Sequence, residues 1–336
     1  MYKYAICAHR SLNSKTECYN THKEEEKRNI METKAKKIFK HPFLDKHTIL
    51  GAIVLSVTAL LASQILFGTI GGEIYNLISG TRDYDSVGYD TGLYLGVIAG
   101  ALIILAIFKR WFYPEYEGAF KGGRNVLRWS ILAFAIPACL LIFNLVTDPG
   151  SMGMPSLIKW IIAIMAGVCE ESIYRGLNAS YIMRQTVTQK KILPAMLVSS
   201  LVFGMIHITN LMHGAPLVMT LLQIFSAFVL GLFLCALFLR SGSLIPGMIF
   251  HAFYDIIALT DTTSIGDDGA FKPTATVSTE DLIFMMVARV FYLALTIYLT
   301  RPAVREEIYD IWSKKWHKNV TEDKVTAGRG PDTVSE

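Results

Sequence analysis

Six side chains that can move protons or pair with charges interrupt three strongly apolar stretches of the sequence. They are Glu170, Glu171, Arg175, His207, His251 and Asp255. A charged side chain at mid-bilayer costs about 2.5 to 3.5 kcal/mol on insertion scales, so each of them needs a reason to be there. An unpaired glutamate with two histidines is sufficient to activate water, and the combination predicts a hydrolytic site inside a membrane.

Helical spacing predicts different partners for the two adjacent glutamates. Glu171 and Arg175 are four residues apart and share one face of a helix, with the acid on the N-terminal side as an ion pair prefers. Glu170 points about 100° away from this face, toward another part of the bundle. We expect His207 or His251, each on another helix, to neutralise it.

The last of the three stretches contains a second pair. Asp255 lies one turn after His251, and either fixes the tautomer of the imidazole or presents a second polar group beside it. Taken alone, each of these side chains is equally well explained as a structural contact between helices. Arg289 lies about two turns from Asp281, and we interpret it as a structural or snorkelling residue.

The composition indicates that these residues belong to a membrane protein. Of the 336 residues, 52% are hydrophobic and only 18% are charged, and the mean hydropathy is +0.39. These values exclude an ordinary soluble protein. A net charge of +4 is too small for a nucleic-acid-binding protein. The five cysteines form no C-x-x-C pair, which disfavours a disulfide scaffold and a thiolate zinc site.

Eight stretches are long and apolar enough to predict transmembrane helices. They run from about Thr48 to Ile70, Thr91 to Phe108, Trp129 to Val146, Ser156 to Ile182, Ile192 to Asn210, Pro216 to Leu239, Ser243 to Thr260 and Leu282 to Thr300. No alternating ten-residue pattern recurs, as a membrane barrel would require. The sequence therefore predicts an all-α, polytopic membrane bundle of about eight transmembrane helices.

Charges in the connecting loops predict that the N and C termini are both cytoplasmic. Residues 1–46 contain eleven Lys or Arg, the second, fourth and sixth loops are basic, and the first, third and seventh are acidic. We expect 1–46 to be a disordered basic cytoplasmic tail, 47–301 a multi-pass domain of the cell (plasma) membrane, and 302–336 a cytoplasmic tail. Met31 is an alternative start, which leaves open whether residues 1–30 are translated.

The polar patterns resemble the three motifs of the CPBP family of intramembrane proteases, which includes CAAX proteases and bacteriocin-processing enzymes and is also called the Abi family. The segments are Glu170-Glu171-Ser172-Ile173-Tyr174-Arg175 for EExxxR, Phe203-Gly204-Met205-Ile206-His207 for FxxxH, and His251-Ala252-Phe253-Tyr254-Asp255 for HxxxN or HxxxD. The motifs occur in order, each on its own predicted span. The resemblance covers about residues 155–260, which would be the protease core.

The resemblance implies a peptidase, a hydrolase acting on membrane-associated substrates such as prenylated CAAX-type or bacteriocin-like peptides. It implies that Glu170 is the general base on a water molecule and that His207 assists it. His251 and Asp255 would stabilise the oxyanion. The implied partners are a peptide or lipidated-protein substrate and membrane lipids. We expect the peptide to enter laterally or from the cytoplasm, because Glu170 is expected nearer the cytoplasmic half of the membrane.

Family members have been described both as metalloproteases and as glutamate-dependent enzymes without a catalytic metal. Glu170, His207 and His251 are acceptable zinc ligands in principle. However, there is no HExxH motif, and a zinc site would leave only Glu171 as a separate base. We therefore expect no required cofactor, with a divalent metal such as zinc as the alternative. The resemblance implies that Glu171 and Arg175 support the catalytic residues without contacting the substrate themselves.

Two other classes of function fit part of the pattern. A catalytically silent membrane protein that binds a partner or confers immunity would keep the motifs without turnover. An ion- or proton-coupled transporter would use the same side chains as a relay at the bilayer midplane. A transporter predicts corresponding halves, whereas the first three spans contain none of these polar residues. The sequence therefore favours the protease.

Overall fold

The computed structural model describes residues 42–123, 125–147, 150, 152–184, 191–261, 264–266 and 271–316. Within these ranges the regular secondary structure is helical, and the β contacts are two isolated bridges, Met152 with Asp261 and Ile265 with Phe271. The predicted all-α fold is therefore confirmed. Most of the predicted N-terminal tail with Met31, the end of the C-terminal tail, and several loop charges lie outside the described residues.

A short helix, Pro42–Lys46, precedes nine longer ones within the described ranges. These are α1 Thr48–Ser79, α2 Val87–Phe112, α3 Val126–Thr147, α4 at residues 157–183, α5 Ile192–His213, α6 Leu217–Ser241, α7 Ile245–Ala258, α8 Thr279–Thr300 and α9 Pro302–Lys315. Helices α1 to α8 coincide with the eight predicted spans. The last helix, α9, lies in a region that the sequence predicted only as a tail.

Six of these helices are long and apolar enough to cross a membrane: α1, α2, α3, α5, α6 and α8. The chain is thus an integral membrane protein. Helix α4 is long, but its charges at Lys159, Glu170, Glu171 and Arg175 set it apart from the six. Helix α7 has 14 residues, about 21 Å, and is shorter than a bilayer core of roughly 30 Å. Both helices contain predicted catalytic residues.

One end of the bundle, called the α9 end, is formed by residues 113–123, the turn at 242–244 and helix α9. Lys315 Nζ donates to the carbonyl oxygens of Gly118 and Lys121 at 2.6 and 2.7 Å. The indole nitrogen of Trp312 donates to the carbonyl oxygen of Leu239 at 3.2 Å. These bonds attach α9 to the second loop and to the end of α6, so that all three lie together.

The other end, called the opposite end, includes residues 152–156, 214–216 and 259–261. There the amide of Gly153 donates to the carbonyl oxygen of Thr260 at 2.8 Å. The buried Lys159 donates from Nζ to the carbonyl oxygen of Leu259 at 3.1 Å. The third and seventh loops therefore meet at this end, as a chain that crosses back and forth requires.

Candidate active site

The second half of α4 is the most deeply buried part of the bundle. Residues Glu171–Ala179 form widened turns with i→i+5 hydrogen bonding, and every one of them is buried. Such π-type turns are rare and often occur at functional sites. Their side chains contact α1 and α5, while the first half of α4 packs against α2 and α7. This change of neighbours occurs at Glu170 and Glu171, between the two halves of the helix.

The predicted pair of Glu171 and Arg175 is present. Arg175 Nη1 donates to Glu171 Oε1 at 2.7 Å, and both side chains are 0% exposed. Arg175 Nη2 donates to the carbonyl oxygen of Gly231 on α6 at 3.1 Å. The guanidinium also lies 4.6 Å from the centre of the Phe203 ring. Arg175 therefore connects α4 to both α5 and α6.

His251 joins α7 to this pair. Its Nδ1 lies 3.0 Å from Glu171 Oε1, and since a carboxylate can only accept, Nδ1–H is the donor. The sequence predicted that Asp255 either fixes the tautomer of His251 or presents a second polar group beside it. In the structure Glu171 holds Nδ1, and Asp255 faces the other ring nitrogen. The partner that orients the imidazole thus comes from another helix.

The Nε2 atom of His251 faces two carboxylates. Glu170 Oε2 is 3.7 Å away and Asp255 Oδ2 is 3.5 Å away. These distances suit ion pairs and are longer than ordinary hydrogen bonds. Of the two predicted partners for Glu170, His251 is therefore the one within ion-pair distance. Glu170 and Asp255 are 19% and 27% exposed, so both can contact a bound molecule.

His207 lies at the edge of this cluster, where α5 tightens into a 3₁₀ turn. It is close enough to Asp255 and His251 to interact with them electrostatically. The ring of Phe203 is edge-on to both imidazoles, with ring centres 5.6 Å from His207 and 5.5 Å from His251. Phe203 thus contacts both histidines and Arg175, which explains an aromatic residue four positions before His207.

Two glycines leave room for side chains of the site, Gly247 for Glu171 and Gly231 for Phe203. A Cβ on Gly247 would lie 2.8 Å from Glu171 Oε2. A Cβ on Gly231 would lie 3.1 Å from the Phe203 ring and 3.0 Å from Ser200. Neither glycine was predicted as a site residue. The sequence contains a signal for Gly247, because it lies one turn before His251 on the same helix and therefore faces the same neighbours.

The six predicted site residues therefore converge from α4, α5 and α7. Arg289, interpreted from the sequence as structural or snorkelling, is 7% exposed and lies near the middle of α8. It donates from Nη2 to the hydroxyl of Tyr254 at 3.0 Å. This partner precedes Asp255 in the chain. Arg289 is thus a buried contact between α8 and α7, and it does not snorkel.

A zinc site was the alternative that the sequence left open, and it requires its ligand side chains to lie close together. Across the described ranges, no three His, Cys, Asp or Glu side chains form a group that could hold a metal ion. This includes Glu170, His207 and His251, the candidate zinc ligands. Among the described residues, these side chains therefore do not fit a metal in this arrangement. Whether the chain needs a cofactor stays a prediction.

The site residues lie at different positions along their three helices. Glu170 lies thirteen residues after Leu157 and thirteen before Met183, so it is at the middle of α4. His207 lies six residues before the last residue of α5, and Asp255 lies three before Ala258, where α7 ends. The cluster thus extends from the midpoint of the bundle toward the opposite end.

Comparison with known proteins identifies one family. Residues 152–257 match the model of the family described as type II CAAX prenyl endopeptidase Rce1-like. The matched segment contains all three motifs and corresponds to the region from the start of α4 to the end of α7. It confirms the predicted resemblance to CAAX-type intramembrane proteases. No curated protein and no solved structure matches the chain.

Proposed function

We propose that this chain, whose residues 152–257 match the model of the type II CAAX prenyl endopeptidase Rce1-like family, is an intramembrane endopeptidase acting on membrane-associated peptides. Prenylated CAAX-type tails and bacteriocin-like peptides are substrates of this kind. The observation that carries the proposal is the approach of Glu170 and Asp255 to one nitrogen of His251, at 3.7 and 3.5 Å. A buried group of this kind inside a membrane bundle marks a functional site.

In the proposed reaction Glu170 is the general base. It accepts a proton from a water molecule, whose oxygen bonds to the carbonyl carbon of the scissile peptide. His207, beside the same cluster, assists by orienting the water. The carbon–nitrogen bond then breaks, and the proton held by Glu170 passes to the leaving amine. Water is thereby divided between a new carboxyl group and a new amino group.

His251 is proposed to stabilise the oxyanion that forms at the carbonyl. In its doubly protonated form it donates from Nε2 to that oxygen, while Nδ1–H stays on Glu171 at 3.0 Å. Asp255 is proposed to act beside Nε2, where its oxygen, 3.5 Å away, helps to orient the imidazole. Because Glu171 and Phe203 fix the ring from two sides, the donor is oriented before the substrate binds.

Glu171 is a poor candidate for the base. Its Oε1 already accepts hydrogen bonds from Arg175 and His251, and its side chain is 0% exposed. Glu170 makes one long contact and is partly exposed. The adjacent glutamates are therefore proposed to have separate roles, with Glu171 positioning the imidazole and Glu170 acting on water.

The test is cleavage of a quenched-fluorescent, prenylated C-a-a-X peptide by the purified, detergent-solubilised protein. Wild type, Glu170→Gln and Glu280→Gln are compared, the last being an exposed glutamate of the opposite end. We expect cleavage by wild type and Glu280→Gln, and none by Glu170→Gln. Each reaction is also run with a strong chelator, which should leave the wild-type rate unchanged.

Different outcomes contradict different parts of the proposal. Full activity of Glu170→Gln would contradict the role of Glu170. Loss of wild-type activity in chelator, with recovery on adding zinc, would restore the metal-dependent alternative. If wild type cleaves neither this peptide nor a hydrophobic peptide without the prenyl group, the weight moves to a membrane protein that binds without catalysis.

A further inference from the structure

The cluster of six site residues is more deeply buried on the side of the α9 end than on the side of the opposite end. Toward the α9 end, Glu171 and Arg175 are 0% exposed and His251 is 4% exposed. Toward the opposite end, Asp255 is 27% exposed. All described side chains of α4 from 171 to 183 are buried, while those from 157 to 170 alternate between buried and exposed. Access to the cluster therefore lies on the side of Asp255.

The packing of the helices also indicates that the cluster is reached from the side of Asp255. Helix α5 packs chiefly against residues 171–179 of α4, whereas residues 157–170 pack against α2 and α7 instead. In α6, residues 229–241 are all buried, while most of 217–225 is exposed or half-buried. The side chains of α4 and α6 are thus more buried toward the α9 end and less buried toward the opposite end. At the α9 end, the residues that join α9 to the second loop close the bundle.

Charge distribution relates these two ends to the membrane. Twelve Lys and Arg of the described ranges lie at the α9 end or at the helix ends on the same side of the bundle. They are Lys46, Lys109, Arg110, Lys121, Arg128, Arg184, Lys191, Arg240, Arg301, Arg305, Lys314 and Lys315. Those at the opposite end are Arg82, Lys159 and Lys272. Twelve against three is a strong bias, and loops rich in Lys and Arg stay in the cytoplasm.

We infer that the active site opens to the extracytoplasmic face of the membrane. The closed α9 end lies in the cytoplasm, and the cluster is reached from the opposite end, past Asp255 and the start of the 3₁₀ turn at His207. This reverses the expectation that peptides enter from the cytoplasm. Within the membrane-associated peptides proposed above, the substrate is then one exposed at the extracytoplasmic surface, such as the end of an exported protein.

The substrate class rests on the proposed protease function, whereas the direction of opening does not. It can therefore be tested without turnover. The test uses the full chain in spheroplasts of a bacterial expression host, with its five cysteines replaced by alanine. Single cysteines are introduced by His213→Cys at the opposite end, Lys314→Cys on α9, and Asp255→Cys in the cluster. Thr209→Cys, two residues after His207 within the 3₁₀ segment, replaces Asp255→Cys if that variant does not fold.

Each variant is treated with a small, charged, membrane-impermeant methanethiosulfonate, before and after permeabilisation. Blocked cysteines then fail to take up a maleimide that shifts the band on a gel. We expect the reagent to block residues 213 and 255 fully in intact spheroplasts. Residue 314 should lose its maleimide shift only after permeabilisation. Solubilised protein serves as the control that every cysteine can react.

Three results would overturn the inference. Blocking of residue 314 but not of 213 in intact spheroplasts would reverse the orientation. If the cysteine at residue 213 were blocked in intact spheroplasts, but those at residues 255 and 209 only after permeabilisation, the cluster would open to the cytoplasm instead. Failure of 255 and 209 to react from either side would mean that the cluster is closed. None of these results depends on cleavage, so a failure of the proposed protease function is distinguishable from a failure of this inference.

Discussion

Glu171 on α4 and His251 on α7 are joined by a hydrogen bond of 3.0 Å, in which Nδ1–H donates to Oε1. The same oxygen accepts from Arg175 at 2.7 Å. Glu171 therefore bridges a guanidinium and an imidazole, with no exposed surface of its own. The bond turns the other nitrogen of His251 toward Glu170 and Asp255, so the orientation of the proposed site depends on a residue that does not contact substrate.

Replacing Glu171 should destabilise the folded protein, and should not merely slow the reaction. In Glu171→Ala, Arg175 is left buried without its carboxylate and His251 loses its orienting acceptor. Breaking one side of a buried ion pair costs about 3 to 5 kcal/mol. Thermal unfolding in detergent, followed by circular dichroism, should show a lower midpoint and less folded protein. Glu171→Gln keeps an acceptor oxygen and should lose less. A midpoint equal to that of wild type in Glu171→Ala would contradict this bridge.

Glu170→Gln should separate chemistry from folding. The amide has the same shape as the carboxylate but cannot take a proton, and loss of a general base lowers kcat by about 10² to 10⁴. Because Glu170 is 19% exposed and its contact with His251 is 3.7 Å long, its unfolding midpoint should stay close to that of wild type. The measurement is the cleavage rate beside the unfolding midpoint. A variant that unfolds as readily as Glu171→Ala would show that Glu170 is structural.

Periodicity and local spacing predicted the fold and one pair of site residues well. Apolar length predicted the positions of α1 to α8, and six of these helices are long and apolar enough to cross a bilayer. The ion pair of Glu171 and Arg175 follows from four-residue spacing within one helix. The predicted limits of α7 were too generous. Ser243 belongs to the turn before the helix, where its hydroxyl donates to the carbonyl oxygen of Phe120 at 2.9 Å.

Contacts between helices were harder to predict. Nothing in the sequence around His251 indicates that its Nδ1 binds Glu171, because that contact depends on how α4 and α7 cross. The packing of α9 was also missed. Its helix combines buried Ile308 and Trp312 with charged residues, and its mean polarity suggested a tail. These apolar side chains are buried because α9 packs against α6 and the second loop, and the sequence alone does not indicate that contact.

Gly247→Ala should reduce activity by displacing Glu171. The added methyl group would lie 2.8 Å from Glu171 Oε2, which is closer than such carbon and oxygen atoms pack. Overpacking of this kind costs about 1 to 3 kcal/mol. Because the carboxylate must shift, the orientation of His251 should change as well, and kcat should fall. Gly123→Ala is the matched control, since nothing lies within 4 Å of its added carbon. Equal activity of the two variants would exclude this role for Gly247.

Lys315 should make stability depend on pH in the alkaline range. Burial lowers the pKa of its amino group from an ordinary 10.5 to about 8, against the opposing charge of Glu117. Between these values the unfolded chain binds more protons than the folded one, so the free energy of unfolding rises with pH from about 8 to 10.5. The difference should be of the order of 1 to 3 kcal/mol.

The measurement for Lys315 compares unfolding midpoints of wild type and Lys315→Met at several values between pH 7.5 and 10, in the same detergent. Wild type should gain stability relative to the variant as pH rises, because only wild type releases this proton on folding. Lys314→Met is the control, since that neighbouring lysine is 72% exposed. Parallel midpoints for wild type and Lys315→Met across the range would contradict the assignment.

Asp255 should tolerate asparagine but not alanine. Its Oδ2 is 3.5 Å from Nε2 of His251 and its side chain is 27% exposed, so its proposed role is to act on the imidazole next to substrate. An asparagine oxygen can occupy the same place and accept the same proton, although without the charge. Asp255→Asn should therefore keep most of the wild-type cleavage rate, whereas Asp255→Ala should lose most of it with an unchanged unfolding midpoint. If both variants were equally inactive, the negative charge of Asp255 would be required, and an acceptor oxygen alone would not suffice.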